Sequence, residues 1–273
     1  MPSVFDSNID LSNVAGSFNP AVTAGLTTFA LLGKSLQASL NNYAAPASPL
    51  LTSSSGNGFP AIASGMSGAT VNGIGQLLLP DAPSTDSETI FIVASINPSN
   101  WATFNMSPVG IWNGTAGSLT QACYMNAQST LTGVQFNVGY INGSGMAVTA
   151  GMAVRVNAGT LGTTPPEQAI VSTPQCYMMK FDIPNLLATF KNVTQASLIG
   201  APAATTSTLV LTSGSTRPVI TSNYELMGNI QSPVNAASTI HAFVRYDRAT
   251  PVSEDALIYA QLQKVMATRG FTI

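Results

Sequence analysis

The sequence predicts a mainly β fold, a sandwich or jelly roll finished by one C-terminal helix. Three observations predict it. From about residue 46, short apolar stretches alternate with clusters of Gly, Ser, Asn and Pro. That is the pattern of many short strands joined by turns. Charge is scarce: Asp, Glu, Lys and Arg make up 7% of the chain, against about 25% in an ordinary soluble domain. Then residues 245–273 change character, holding seven charged residues and the marks of a capped helix.

Taken in order, residues 17–45 hold a helical candidate. Leu26, Phe29, Ala30, Leu36 and Leu40 fall at mixed helical spacing. Asn19-Pro20 supplies a start, since proline is tolerated in a first helical turn. Gly25 and Gly33 oppose the helix, and Pro46 and Pro49 end it. Residues 1–45 are thus expected to pack as a segment on a β domain spanning 46–273. Strands are expected at Gln76–Leu79, Thr89–Ile96, Gly110–Trp112, Ala122–Asn126, Gly133–Ile141, Met146–Val156, Gln175–Asp182, Thr208–Thr212, Glu225–Ile230 and Thr239–Tyr246. Ile90-Phe-Ile-Val-Ala is apolar without a break, so it reads as a central strand buried on both faces. Val134-Gln-Phe-Asn-Val alternates, as a half-buried strand does. Ile141-Asn-Gly-Ser-Gly-Met is a hairpin turn. The last element is a helix over 253–268. Ser253 is its expected cap, Glu254 and Asp255 complement its dipole, and Gly270 stops it.

Composition narrows function. No charged residue or histidine occurs in the 66 residues between Glu88 and Arg155, or in the 46 from Ser35 to Pro80. Most enzymatic chemistry needs titratable groups or a metal held by them, so the chain reads as a surface that binds or assembles rather than as an enzyme. Nine basic residues are scattered and the net charge is −2, which gives no footprint for nucleic acid or an anionic membrane. No apolar run reaches the ~18 residues of a membrane span. The opening Met-Pro-Ser-Val-Phe-Asp has neither the basic nor the apolar part of a secretory signal. Cys123 and Cys176 form no CxxC pair, and both are expected as buried free thiols.

The C-terminal stretch carries a family resemblance. Ile240-His-Ala-Phe-Val-Arg-Tyr-Asp-Arg-Ala runs into the helix and then into Arg269-Gly-Phe-Thr-Ile. This resembles the end of concanavalin A-like (laminin-G-like) jelly rolls of bacteriophage tail and virion proteins. In those proteins an aromatic-Asp-Arg-Ala phrase precedes a Ser-capped helix and an Arg-Gly-hydrophobic tail. Ser84–Ile96 is similar to the first long core strand of that fold, and Phe18-Asn-Pro-Ala-Val-Thr-Ala-Gly-Leu-Thr has a phage-like cast. The resemblance implies a concanavalin A-like sandwich. The family holds lectins, glycan hydrolases and purely structural virion modules. A surface-like composition without an export signal fits a virion protein assembled in the host cytoplasm.

The candidate residues are weighed within that frame. The hydrolases of this fold typically carry Glu-x-Asp-x-(x)-Glu along one strand, and no such motif occurs here. Asp86 and Glu88 share a strand face, but read as the solvated start of the strand before Ile90 rather than as a catalytic pair. Asp247, between Arg245 and Arg248, reads as a local ion pair. His241, the single histidine, has no Gly-x-Ser-x-Gly elbow to serve and reads as a strand histidine facing solvent or a neighbour. No calcium loop or phosphate loop occurs, so no metal and no cofactor are expected, a weak ion held by Asn side chains and backbone carbonyls being the alternative. Aromatic and amide side chains remain: Trp101 and Trp112, with Asn105, Asn113 and Tyr124. They suit neutral contacts to a sugar, and equally suit core or subunit contacts. The expected function is a phage structural protein, a tail-tip, fibre or baseplate module with lectin-like recognition of host surface glycans. Its partners are then other virion subunits, further copies of the chain and those glycans. The alternatives are capsid decoration and, third, a polysaccharide-degrading enzyme.

Overall fold

The computed structural model describes residues 19–52, 61–62, 68–71, 77–81, 84, 86–96, 109–111, 123–127, 133–155, 173–196, 205–217, 225–226 and 238–273. Among them are fifteen strands: β1 (Leu26–Leu31), β2 (Leu51–Thr52), β3 (Ala61–Ile62), β4 (Ala69–Val71), β5 (Leu77–Leu78), β6 (Ser87–Ile96), β7 (Val109–Ile111), β8 (Cys123–Ala127), β9 (Gly133–Ile141), β10 (Ala147–Arg155), β11 (Gln175–Asp182), β12 (Leu187–Asn192), β13 (Thr206–Val210), β14 (Glu225–Leu226) and β15 (Ser238–Tyr246). One sheet runs β13-β12-β11-β6-β15-β4-β3, and β1 also pairs with β15. The other runs β10-β9-β8-β7-β14-β5-β2. All the pairings are antiparallel. The chain is mainly β, an antiparallel sandwich of two sheets with a C-terminal helix, Val252–Thr268.

Alternation along the strands produces three layers. Ile90, Ile92 and Ala94 of β6, Tyr177, Met179 and Phe181 of β11, and Phe190 of β12 face inward. They meet Leu77, Phe136, Val138, Met152 and Val154 of the second sheet. Phe136 packs edge-on to Phe181 with centroids 6.2 Å apart, and Tyr177 stacks on Phe190 at 6.0 Å. The intervening residues of the same strands face outward: Phe91 and Val93, Cys176 and Met178, Ala242, Val244 and Tyr246. The C-terminal helix covers them with Ile258, Tyr259, Leu262, Val265 and Met266. The unbroken apolar run at 90–94 thus has two cores to fill. Cys176 lies in the outer one as a buried free thiol, its pKa pushed far up by burial.

Two sequence expectations are corrected. The N-terminal segment holds a strand, β1, and only one helical turn, Leu36–Ser39. β1 pairs with Ala242–Tyr246 of β15 while β4 pairs with Ser238–Ile240 on the same edge. The demand of that edge for partners outweighs a helical spacing interrupted by two glycines. Asn42 braces the segment, accepting from the Phe29 N–H and donating to the Thr27 and Ser48 carbonyls. At the C-terminal helix, Ser253 is not the cap: Pro251 occupies that position with extended backbone and no side-chain cap bond. The acidic first turn and the glycine stop are as expected. Gly270, at φ 81°, lets Phe271 N–H reach the Met266 carbonyl and Gly270 N–H the Ala267 carbonyl, a Schellman closure.

Candidate functional site

Two ionic constellations sit on opposite faces of β6, β11 and β15. On the inner face Glu88 (1% exposed) stands opposite Phe181 of β11. Its Oε1 accepts from Arg245 Nε at 2.5 Å and its Oε2 from Arg217 Nη1 at 2.7 Å. Arg245 is 2% exposed. Thr216 bridges to Ile141 of β9, which carries Arg217 into the end of the sandwich. There its guanidinium lies 4.1 Å over the Phe181 ring and donates to the Ser84 carbonyl. Glu88 is therefore not a solvated strand start. Asp86 is exposed, so the two carboxylates do not share one site. Arg245 turns inward to Glu88 and Arg248 pairs with Glu254, so Asp247 is not the partner it is expected to be.

His241 is closed in as well. It is the extra residue where the β15 register slips against β6, between Ile240 and Ala242. The residue is 3% exposed, with Nε2 3.0 Å from Ser95 Oγ and Phe271 packed edge-on at 4.6 Å. Nδ1 has no hydrogen-bond partner among the described residues. Burial, and then the nearby Arg269 charge, lowers its pKa from 6.5 to about 4. Gly68 makes this corner possible: a Cβ there would lie 2.8 Å from His241 Nδ1 and from the Ile240 carbonyl oxygen.

The open site lies on the outer face. Register sets its floor in two cross-strand rows. One is Val244–Phe91–Met178–Lys191–Thr206, the other Tyr246–Thr89–Lys180–Thr189–Thr208. The first row is apolar as far as Met178 of β11 and turns polar on β12 and β13; the second is polar from Thr89 of β6 onward. A helix whose buried face is Ile258, Leu262 and Val265 gains nothing by extending over lysines and threonines. It leaves them uncovered, and a cleft of about 570 Å³ opens beside its first turns. Met178, Lys180, Asp182, Thr189, Lys191 and Thr206 form the floor, and Thr250, Pro251, Val252 and Asp255 one wall.

Lys180 ties that wall to the floor. Its Nζ meets Asp255 Oδ2 at 2.6 Å and the Thr250 carbonyl at 2.5 Å. The two side chains are 13% and 16% exposed. Thr250 Oγ1 donates to Asp255 Oδ1, and Thr250 N–H to Thr89 Oγ1. Asp182 accepts from Asn185, through Nδ2 at 2.9 Å and the backbone N–H at 3.3 Å. The cleft thus offers hydroxyls, an ammonium and braced carboxylates on a rigid sheet. Such groups hydrogen-bond and orient a polar ligand.

Trp101, Asn105, Trp112 and Asn113 lie outside the described residues. The Tyr124 backbone lies on β8, opposite Gly110 and Asn137; its side chain is also outside them. Lys180, Lys191, Thr189 and Asp255 are absent from the sequence-based candidates. The signal that points to them is two lysines at strand positions in a chain with so few charges.

No protein-family model matches the chain, and no curated protein matches it in sequence. Among solved structures it is similar to the receptor-binding domain of botulinum neurotoxin C/D mosaic serotype. The TM-score is 0.54 at 7% identity, over 89% of this chain and 52% of that one. It is also similar to the binding domain of Paraclostridial Mosquitocidal Protein 1, with TM-score 0.52 at 10% identity, over 88% of this chain and 52% of that one. The chain spans about half the length of both. A looser likeness is to Ruminococcus gnavus IT-sialidase CBM40 bound to α2,3-sialyllactose, with TM-score 0.39, 16% identity, and 65% and 83% coverage. At these identities the likeness concerns the fold.

Proposed function

We propose that this chain is a lectin-like recognition module, not an enzyme, that holds a surface glycan in the cleft between β11–β13 and the C-terminal helix. The observation that carries this reading is the lining of the cleft. Its volume of about 570 Å³ falls within the ~300–1,000 Å³ of small-ligand sites. Threonine hydroxyls and charged tips line the floor at fixed register, which suits the many hydroxyls of a sugar. The carboxylates of the cleft are engaged by Lys180 and Asn185, an arrangement that suits holding a ligand better than proton transfer. The shared fold of two domains whose names declare a binding role is consistent with it.

The biological setting we propose is a phage particle, at a tail tip, fibre or baseplate, with host surface glycans as ligands. The phage-like phrases at 240–273 support that setting, as does a charge-poor surface suited to burial between copies. Repeated copies would multiply weak single-site binding.

The test is binding of the whole chain to glycans of host cells. Thr189→Trp, placed at the centre of the floor, is expected to abolish adsorption with little change in melting temperature. If that variant adsorbs normally while Trp101→Ala or Trp112→Ala does not, the site lies elsewhere and the cleft is rejected.

A further inference from the structure

Four charged side chains line the cleft, and three of them are answered by the protein. Lys180 and Asp255 neutralise each other at 2.6 Å. The Asp182 carboxylate takes two N–H donors from Asn185. Lys191 is the exception. No carboxylate lies within ion-pair reach of its amine among the described residues, yet the residue is half-buried in the floor. Nor does Asp182 answer it. Lys191 stands in the row of Met178 and Thr206, and Asp182 is four residues further along β11, roughly 13 Å at about 3.3 Å per residue.

We propose that the ligand of this cleft is an acidic sugar, one bearing a carboxylate or sulfate, with its anionic group held by Lys191 beside the Thr206 hydroxyl. The inference rests on reading the cleft as a glycan site. The layout also gives the ligand a direction. Its acidic residue lies at the β12–β13 end, and its hydroxyls run past Thr189 toward Asp182, which accepts from them. Away from bulk water the attraction of an ammonium for an anion is stronger than on an open surface. The protein as a whole carries a net charge of −2 and so supplies no long-range pull on an anion. Selectivity for acid is therefore local to Lys191.

The experiment is an array of neutral, carboxylated and sulfated oligosaccharides probed with the full chain, followed by titration of the binders against Lys191→Met and Lys191→Arg. Acidic members are expected to bind roughly tenfold or more tightly than matched neutral ones. Lys191→Met should erase that preference and Lys191→Arg preserve it. Preference among the carboxylated and sulfated members identifies which anion is read. If neutral and acidic members bind alike, or Lys191→Met keeps the preference, the acidic-sugar proposal falls while the glycan site stands. If no member binds, both fall.

Discussion

Glu88 and Lys191 lie on opposite faces of one sheet, and the protein treats them in opposite ways. Glu88 is inside, gripped by two guanidinium groups, of which that of Arg217 lies over the Phe181 ring. Lys191 is outside, at the margin of the helix, with its amine left to whatever enters the cleft. Both are charges on strands of a chain that has few. What separates them is the parity of their positions. Glu88 keeps phase with Ile90 and Ile92, which face the second sheet; Lys191 keeps phase with Thr189, which does not. A charge on the inner face must be fully answered by the protein, whereas one on the outer face can be kept for a ligand.

Stability measurements would break or sharpen that contrast. The largest effect is expected at Glu88. Glu88→Gln leaves two guanidinium groups in the sandwich without their carboxylate and should cost about 3–5 kcal/mol, read as a fall in the denaturant midpoint. A loss below about 1 kcal/mol would show that the cluster is not a dry, fully committed site.

Next is His241, a buried group that the protein answers only in part. Its folded pKa, about 4, lies below the ordinary 6.5. Between those values the unfolded chain binds the proton and the folded chain does not. Stability from this source is therefore complete above about pH 6.5 and lost as the pH falls toward about 4, by a total on the order of 3 kcal/mol. The stability–pH curve of His241→Gln should be flatter than that of the parent in this window. Parallel curves would contradict the closed corner at Gly68 and Phe271.

The smallest effect belongs to the cleft. Lys191→Ala should change stability by less than about 0.5 kcal/mol, since no partner within the protein is lost. A large loss in thermal or chemical unfolding would make Lys191 a structural residue and remove its reason to meet a ligand.

Some of this was legible in the sequence. The Ile90–Ala94 run, the Gly133–Ile141 strand, the hairpin at Asn142–Gly145 and the C-terminal helix appear where pattern places them, because apolar periodicity is itself the cause of their burial. β1 was not, since Leu26-Thr-Thr-Phe-Ala-Leu becomes a strand only when β15 offers an edge. β12 was not expected either, because its inward residues Ala188, Phe190 and Asn192 include just one large apolar side chain. The cleft was hidden for a different reason. Lys180, Lys191, Thr206 and Asp255 are far apart in the chain, and a search for aromatic sugar platforms passes over them.

By itself the sequence determined the class of the fold, the central strand with two apolar faces and the helix that ends the chain, since these follow from local periodicity and end signals. Only the tertiary structure decided which charges are closed away and which are offered. That choice depends on the register of β6, β11, β12 and β15 and on where the first turns of the helix lie against them. Register is a relation between distant segments, fixed by the packing of two cores at once.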